Sequence, residues 1–442
     1  MTSEAEKAYV WVFLPGDTKP TLCGLFSHQT TAGGAVGKFV YGKSYLANPD
    51  ALPIDPVVLP CNRREFSTTG FNGIPSALLD ALPDDWGRYV IEKTRGVQSF
   101  PVGLMLNIRS DSVGNLAFTE SANVEPDITS IGLPFEKLEG ARNFILRLED
   151  EKPIDDYSQD GLQQINTAMG GARPKLTVVK GNQLWLAKFP TLKDRASAPI
   201  AKIESASLKL AHFCEIKVAK TEVVHDNILL VRRFDRTFNG YGWARDSFLS
   251  ARTILASARS SNSQTMGSYP RLAIELARYS NDPVADQKQL YRRMVFNVMI
   301  QNMDDHDRNH GLVADDEPGT YRLSPAYDIV PQRSATFRRE HAMELGNGSS
   351  TATRENLLAD CAAFGIASVE ANAIIDSVQQ TVRDNWRRFF AAEGLTHDVV
   401  EELGRGFCYL PNDMQELKRD IAAASQKSKN KPSADEHHSP SG

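Results

Sequence analysis

Residues 303–313 read MDDHDRNHGLV, crowding three aspartates and two histidines into a few positions. Just before them, QLYRRMVFNVMIQN sets Leu290, Met294 and Val298 four residues apart, the repeat of a buried helix face. The polar cluster therefore emerges where a packed helix gives way to a loop, a place held firmly yet open to solvent. Within it, Asp304 and Asn309 stand five residues apart. A carboxylate there can take the proton of a hydroxyl group, and a neutral amide oxygen one loop-turn later can coordinate a hard cation. Taken alone, DDHDRN reads equally well as a solvated acidic turn capping a helix.

Nineteen residues after Asn309, SPAYDIVP places Asp328 behind Tyr327 and so adds a second hard oxygen ligand. The Asp304–Asn309 spacing is that of base and metal-binding amide in the HRDxxxxN loop of protein kinases. Asp328 stands where a kinase has the aspartate of DFG, although DFG itself is absent. Upstream, MGGARPK (Met169 to Lys175) is glycine-rich and leads into strand-like sequence; Gly170 and Gly171 would let the backbone approach phosphate oxygens closely. It is neither GxGxxG nor a P-loop, and a plain hairpin turn fits it as well. In LWLAKFP, Lys188 sits within an apolar strand, so its ammonium calls for an anionic partner unless it reaches solvent at an edge. Glu204, opening the amphipathic IESASLKLAHF, is a candidate partner. ILLVRRFDR (Ile228 to Arg236) has the form of a kinase hinge strand, with Arg232 and Phe234 offering main-chain atoms to an adenine edge and Asp235 reaching a ribose. An edge strand ending in a charged turn fits the same residues.

The 442 residues are too many for one compact core and imply two or three domains or subdomains. A net charge of -5 and a pI near 6.0 argue against a protein that coats nucleic acid by itself. Cys23, Cys61, Cys214, Cys361 and Cys408 are widely spaced, without CxxC, as expected of thiols in a reducing cytosol. The N-terminus lacks the pattern of a signal peptide, and no apolar run approaches the roughly 20 residues of a membrane span, so a cytoplasmic protein is expected. Strand-like runs at Tyr9 to Gly16 and Gly37 to Leu46, a helical stretch at Ser76 to Leu82 and a closing strand in GNLAF (Gly114 to Phe118) make a first α+β unit. Residues 355–425 look mostly helical, and WRRFF near Arg387 is a basic-aromatic spot best taken as an amphipathic helix.

The order GGARPK, LAKFP, VRRFDR, DDHDRN, YDIVP resembles the HipA family of serine/threonine kinase toxins, and GKFVYGKSYL and GNLAF resemble the N-terminal subdomain of those proteins. The resemblance implies a divergent protein-kinase-like α+β fold. It would have a small N-terminal α+β subdomain over 1–133 and a kinase-like domain over 134–424. That domain would divide into a nucleotide-binding lobe at about 150–240 and a helical catalytic lobe at about 241–424, ahead of a disordered tail, 425–442. It implies Asp304 as catalytic base, Asn309 and Asp328 as Mg²⁺ ligands, and Gly170, Gly171, Ala172, Arg173, Pro174, Lys175 and Lys188 as holders of the ATP phosphates. Arg232, Arg233, Phe234 and Asp235 would frame the nucleoside, with His306, Asp307, Arg308, Asn309 and Tyr327 lining the rest. The implied partners are a protein substrate, an aminoacyl-tRNA synthetase in some relatives, and a small HipB-like helix-turn-helix antitoxin through which the pair meets operator DNA; no membrane is involved. One departure concerns regulation. The loop serine that self-inactivates many relatives is Ala168 here, with Thr167 beside it, while Arg308 replaces the lysine of some relatives and keeps its charge.

Three rivals remain at the level of sequence; one, a small-molecule phosphotransferase, shares the whole nucleotide site and differs only in its acceptor. A metal-dependent hydrolase or nuclease would use Asp304, Asp305, His306, Asp307 and Asp328 as a hard-ligand cluster, leaving the glycine segment and Lys188 without a task. A catalytically silent, antitoxin-bound corepressor would have no need of Asp304, Asn309 and Asp328 together.

Overall fold

The computed structural model describes residues 5–83, 85–108, 112–129, 131–150, 173–192, 194, 199–225, 227–257, 267–333 and 337–429. The N-terminal subdomain is built on a five-stranded antiparallel sheet in the order Phe66–Thr68, Gly34–Tyr41, Thr21–Thr31, Glu6–Val12, Leu116–Thr119. Its alternating apolar residues, Ala8, Val10 and Val12 among them, face the core. A side chain at Gly37 would put its Cβ 1.7 Å from the carbonyl oxygen of Gly73, so only glycine permits that close approach. The strand read through Leu46 ends at Tyr41, and Lys43–Leu46 forms a helical turn instead.

A second five-stranded sheet has the order Leu133–Pro134, Lys175–Lys180, Gln183–Lys188, Ile228–Arg232, Thr221–Val224. Leu133 pairs in parallel with Val178, so the second unit begins slightly before residue 134. A two-residue strand carries no alternation by which sequence reading could place it. Helix Ile200–Phe213 packs beside this sheet, and its Glu204 is buried.

The remaining lobe is mainly helical. Its central helix, Pro283–Met299, starts where Asp282 accepts the amide of Ala285 (3.2 Å) and Pro283 supplies a preset φ. Leu290, Met294 and Val298 are fully buried on it, as their spacing required. The helix stops at Ile300, and Gln301 takes a left-handed φ of 60° that turns the chain into the DDHDRN loop. Helix Ser368–Ala392 carries WRRFF, where Trp386 and Phe390 are buried. Arg387 pairs with Glu401 and stacks on Trp386, and Arg388 lies over Phe213 and Phe389. The last helix, Met414–Lys429, runs past residue 425, into the expected tail, because the alanines, Gln426 and Lys427 are good helix formers. Residues 430–442 are outside the described set. All five cysteines are free thiols.

Candidate active site

Cross-strand register sets Lys175 directly opposite Lys188 on neighbouring strands. Two like charges in that position repel unless anions lie between or beside them. Two carboxylates answer Lys188. Its ammonium donates to Glu204 Oε1 at 2.6 Å and to Asp328 Oδ1 at 2.8 Å, the latter from 140 residues away in sequence. The Glu204 pairing suggested by the sequence is thus present. Burial pushes the Lys188 ammonium toward the neutral form, but Asp328 and Glu204 outweigh it and raise its pKa. Lys188, with help from Lys175 and His306, holds the Asp328 carboxyl well below the usual range against the effect of burial. For Glu204 burial wins: its pKa is raised even though Lys188 pulls it down.

Asp328 itself adopts a φ of 58°, a left-handed conformation that a non-glycine residue takes at a cost of about 1–3 kcal/mol and that recurs at functional sites. Its side chain keeps 42% of its surface exposed, so it remains open to a ligand. Next to it, the Tyr327 hydroxyl donates to the carbonyl of Arg308 at 2.8 Å and joins this loop to DDHDRN. The Tyr327 ring lies 5.9 Å from that of Phe234. In DDHDRN, Asp304 is exposed while Asn309 is buried; the Asn309 amide nitrogen donates to the Asp304 carbonyl (3.3 Å), leaving the Asn309 oxygen as the atom to meet a cation. His306 Nδ1 accepts the Arg308 amide at 3.3 Å, and the Asp307 carbonyl accepts that of Arg252 at 3.0 Å. Lys175, Lys188, Asp328, Tyr327, Phe234 and the 304–309 loop are therefore gathered in one place.

Two expectations need correction. Arg233 and Asp235 are buried and committed to each other and to the N-terminal subdomain. Asp235 accepts Arg233 Nε (2.9 Å) and Nη2 (2.7 Å), Arg236 Nη1 (2.9 Å) and the amide of Gly114 (3.0 Å). Both arginines also donate to the Ser112 carbonyl. This buried cluster braces the N-terminal subdomain against the second lobe, and Arg233 and Arg236 hold the Asp235 carboxyl far below its ordinary range despite burial. Nothing in the local sequence signals it, because Ser112 and Gly114 are about 120 residues away. The amide of Arg232 is likewise committed, to the carbonyl of Lys220 (2.8 Å), and that of Arg233 to Leu184 (2.9 Å). Of Arg232 and Phe234, the two residues expected to offer main-chain atoms to an adenine edge, Arg232 thus has its amide already engaged.

Arg173 pairs with Asp194 at 2.8 Å, and Pro174 accepts the amide of Phe189 at 2.9 Å. Sequence reading missed Asp194, whose partner is 21 residues away with no shared periodicity. Gly170, Gly171 and Ala172, together with Thr167 and Ala168, are outside the described residues. Among the described residues, no three His, Cys, Asp or Glu side chains gather closely enough to hold a metal ion. Asp305, one member of the hard-ligand cluster expected on the hydrolase reading, is buried among hydrogen-bond donors of its own. A site that supplies two protein oxygens and relies on phosphate for the rest, as Asn309 and Asp328 would, remains compatible.

Family models of the HipA N-terminal domain and the HipA-like C-terminal domain match residues 19–119 and 167–386. The chain belongs to the HipA family. A curated HipA relative from Shewanella oneidensis, named serine/threonine-protein kinase toxin HipA, is 24% identical over 287 residues, 59% of this chain. That match spans 63% of the relative's length. A solved structure of the HipA, HipB and operator DNA complex from Shewanella oneidensis contains a chain that aligns with a TM-score of 0.62 at 18% identity. It covers 93% of this chain and 97% of that one, which establishes the HipA fold: α+β and kinase-like, with its N-terminal subdomain and helical lobe. Among the described residues, no helix is long and apolar enough to cross a membrane.

Proposed function

We propose that this HipA-family chain is an ATP- and Mg²⁺-dependent serine/threonine protein kinase, the toxin of a toxin–antitoxin pair. The observation that carries the reading is Lys188, held between Glu204 on the following helix and Asp328 on the loop after DDHDRN. Of the sites considered, a nucleotide phosphate site is the one that uses this lysine, its opposite neighbour Lys175 and two oxygen ligands at once. Magnesium, held by Asn309 and Asp328, would neutralise charge developing on the phosphates. Lys188 and Lys175 bind and orient the phosphates, Phe234 and Tyr327 offer apolar surface to the base, and Asp304, exposed at the mouth, accepts the proton of the substrate hydroxyl. The name of the curated relative supports a protein acceptor, and the HipB and operator DNA of the solved complex support a small DNA-binding antitoxin as partner.

The test is to incubate the purified protein with γ-labelled ATP, Mg²⁺ and a cell lysate, beside the Asp304→Asn variant. A discrete labelled protein in the first sample and none in the second is expected. Equal labelling in both, or nucleotide hydrolysis with no labelled protein, would overturn the proposal.

A further inference from the structure

Beside the exposed Asp304 lies a carboxylate with no part in the chemistry proposed above. Asp305 is 2% exposed, and one of its oxygens, Oδ2, is the meeting point of three donors. The hydroxyl of Tyr269 donates to it, with Asn297 Nδ2 at 2.7 Å and His310 Nε2 at 3.0 Å. The donors belong to different elements. Tyr269 opens helix Tyr269–Tyr279, Asn297 lies in the last turns of the central helix, and His310 immediately precedes strand Gly311–Ala314. The donors are themselves tied together: Asn297 also donates to the Tyr269 oxygen (3.1 Å), Asn302 donates to Asn297 Oδ1 (3.2 Å), and the Tyr269 ring meets His310 edge-on at 5.2 Å.

We infer that Asp305 is the positioning residue of the active-site loop, fixing from beneath the direction in which Asp304 presents its carboxylate. The inference rests on the reading of Asp304 as proton acceptor. Neighbouring side chains on this loop point to opposite sides: Asp304 faces solvent and Asp305 the core. Anchoring one through three hydrogen bonds therefore fixes the backbone that carries the other. A buried carboxylate is a costly way to fill space, and an apolar side chain would pack there without desolvating a charge. What it adds is direction, since three donors on three elements leave the loop a single seat. A base must sit within hydrogen-bond reach of the proton it takes, and a displacement of about 1 Å can cost about 100-fold in rate.

Three variants test this. Asp305→Ala is expected to lower kcat by about 100-fold while the KM for ATP and the pKa values of the pH–rate profile stay near those of wild type; the melting temperature falls, because three buried donors lose this acceptor. Asp305→Asn retains an oxygen for the three donors and is expected to recover kcat to within about tenfold of wild type. Tyr269→Phe keeps the ring and removes one donor; a loss of about 2- to 10-fold in kcat is expected, and this variant decides the matter should Asp305→Ala fail to fold. The inference is overturned if Asp305→Ala or Tyr269→Phe keeps wild-type kcat while Asp304→Asn is inactive. It is also overturned if ATP affinity falls in step with kcat, or if Asp305→Ala removes the acid limb of the pH profile, which would make Asp305 itself the base. Full activity in Asp304→Asn would instead refute the underlying reading of the base.

Discussion

Replacing Lys188 by alanine removes the one ammonium shared by Glu204 and Asp328. The consequences for the two carboxylates differ. Asp328 is 42% exposed and can return to water, so its half of the pairing contributes little to stability. Glu204 is 2% exposed and has no such recourse. Burial already raises its pKa with Lys188 in place; without it, burial and the negative charge of Asp328 act together, opposed by Lys175. The folded variant should therefore carry a protonated Glu204. Protonating at pH 7 a group whose ordinary value is 4.5 costs about 3 kcal/mol, at roughly 1.4 kcal/mol per pH unit. The sign follows from a folded pKa raised above the unfolded one. The deficit relative to wild type is absent below the raised value that Glu204 already has in wild type and grows as pH rises above it, levelling off above the variant's folded value. Urea denaturation at pH 5 and pH 7.5 measures it; the deficit should be under about 1 kcal/mol at the lower pH and larger, up to about 4 kcal/mol, at the higher. Adding Glu204→Gln to Lys188→Ala should restore most of the stability at pH 7.5 and none of the ATP affinity. A deficit equal at both pH values, or one untouched by Glu204→Gln, would refute the account of this junction.

Asp304→Asn should lower phosphoryl transfer by about 10²- to 10⁴-fold with ATP affinity nearly unchanged, read by single-turnover transfer beside a nucleotide titration. Asp328→Ala should weaken Mg²⁺-dependent ATP binding and leave Mg²⁺-free nucleotide binding much less affected, by calorimetry. Asp235→Ala should destabilise the protein by about 3–5 kcal/mol, because it strands Arg233 and Arg236 in the interior. Since the folded Asp235 value lies below its ordinary 3.8, the carboxylate's stabilisation exists above that pH and fades below it, so wild type and variant should converge in acid. Mass spectrometry after incubation with Mg²⁺–ATP should find no stoichiometric phosphate on Thr167, because the family resemblance puts Ala168, which has no hydroxyl, at the position of the regulatory serine.

The parts of the fold that were legible in the sequence were those with a period. Leu290, Met294 and Val298 announced a buried helix, and the helix's end placed Asp304 and Asn309 on the loop that follows it. Lys188 was legible for a different reason: an ammonium in an apolar strand is an electrostatic debt, and Glu204 and Asp328 are what settles it. Asp235 misled for the same reason that Lys188 informed. It too is a charge at the end of an apolar strand, but its partners include Ser112 and Gly114, brought near only by docking of the N-terminal subdomain. A buried charge tells the reader that a partner exists. It does not tell whether that partner is a ligand or another part of the chain.

At Lys188 it is exposure and backbone strain, not the balance of charge, that favour a ligand. Around Asp235, two arginines meet one carboxylate, and carbonyls of Ser112, Gly114 and Asp235 itself take the surplus donors, so the brace is complete within the chain. Around Lys188, two lysines face each other across the strands, and the carboxylate nearest the surface, Asp328, is held in a left-handed backbone conformation with nearly half its side chain open to solvent. Strain and exposure are tolerated together where the residue serves something other than the fold. On the proposed reading, Asp328 pairs with Lys188 in the absence of nucleotide. Bound phosphates would share that ammonium, and Asp328 would then be available to hold the cation that accompanies them. Glu204, buried and on a helix, keeps its hold throughout, so Lys188 meets the phosphates without leaving its place on the strand.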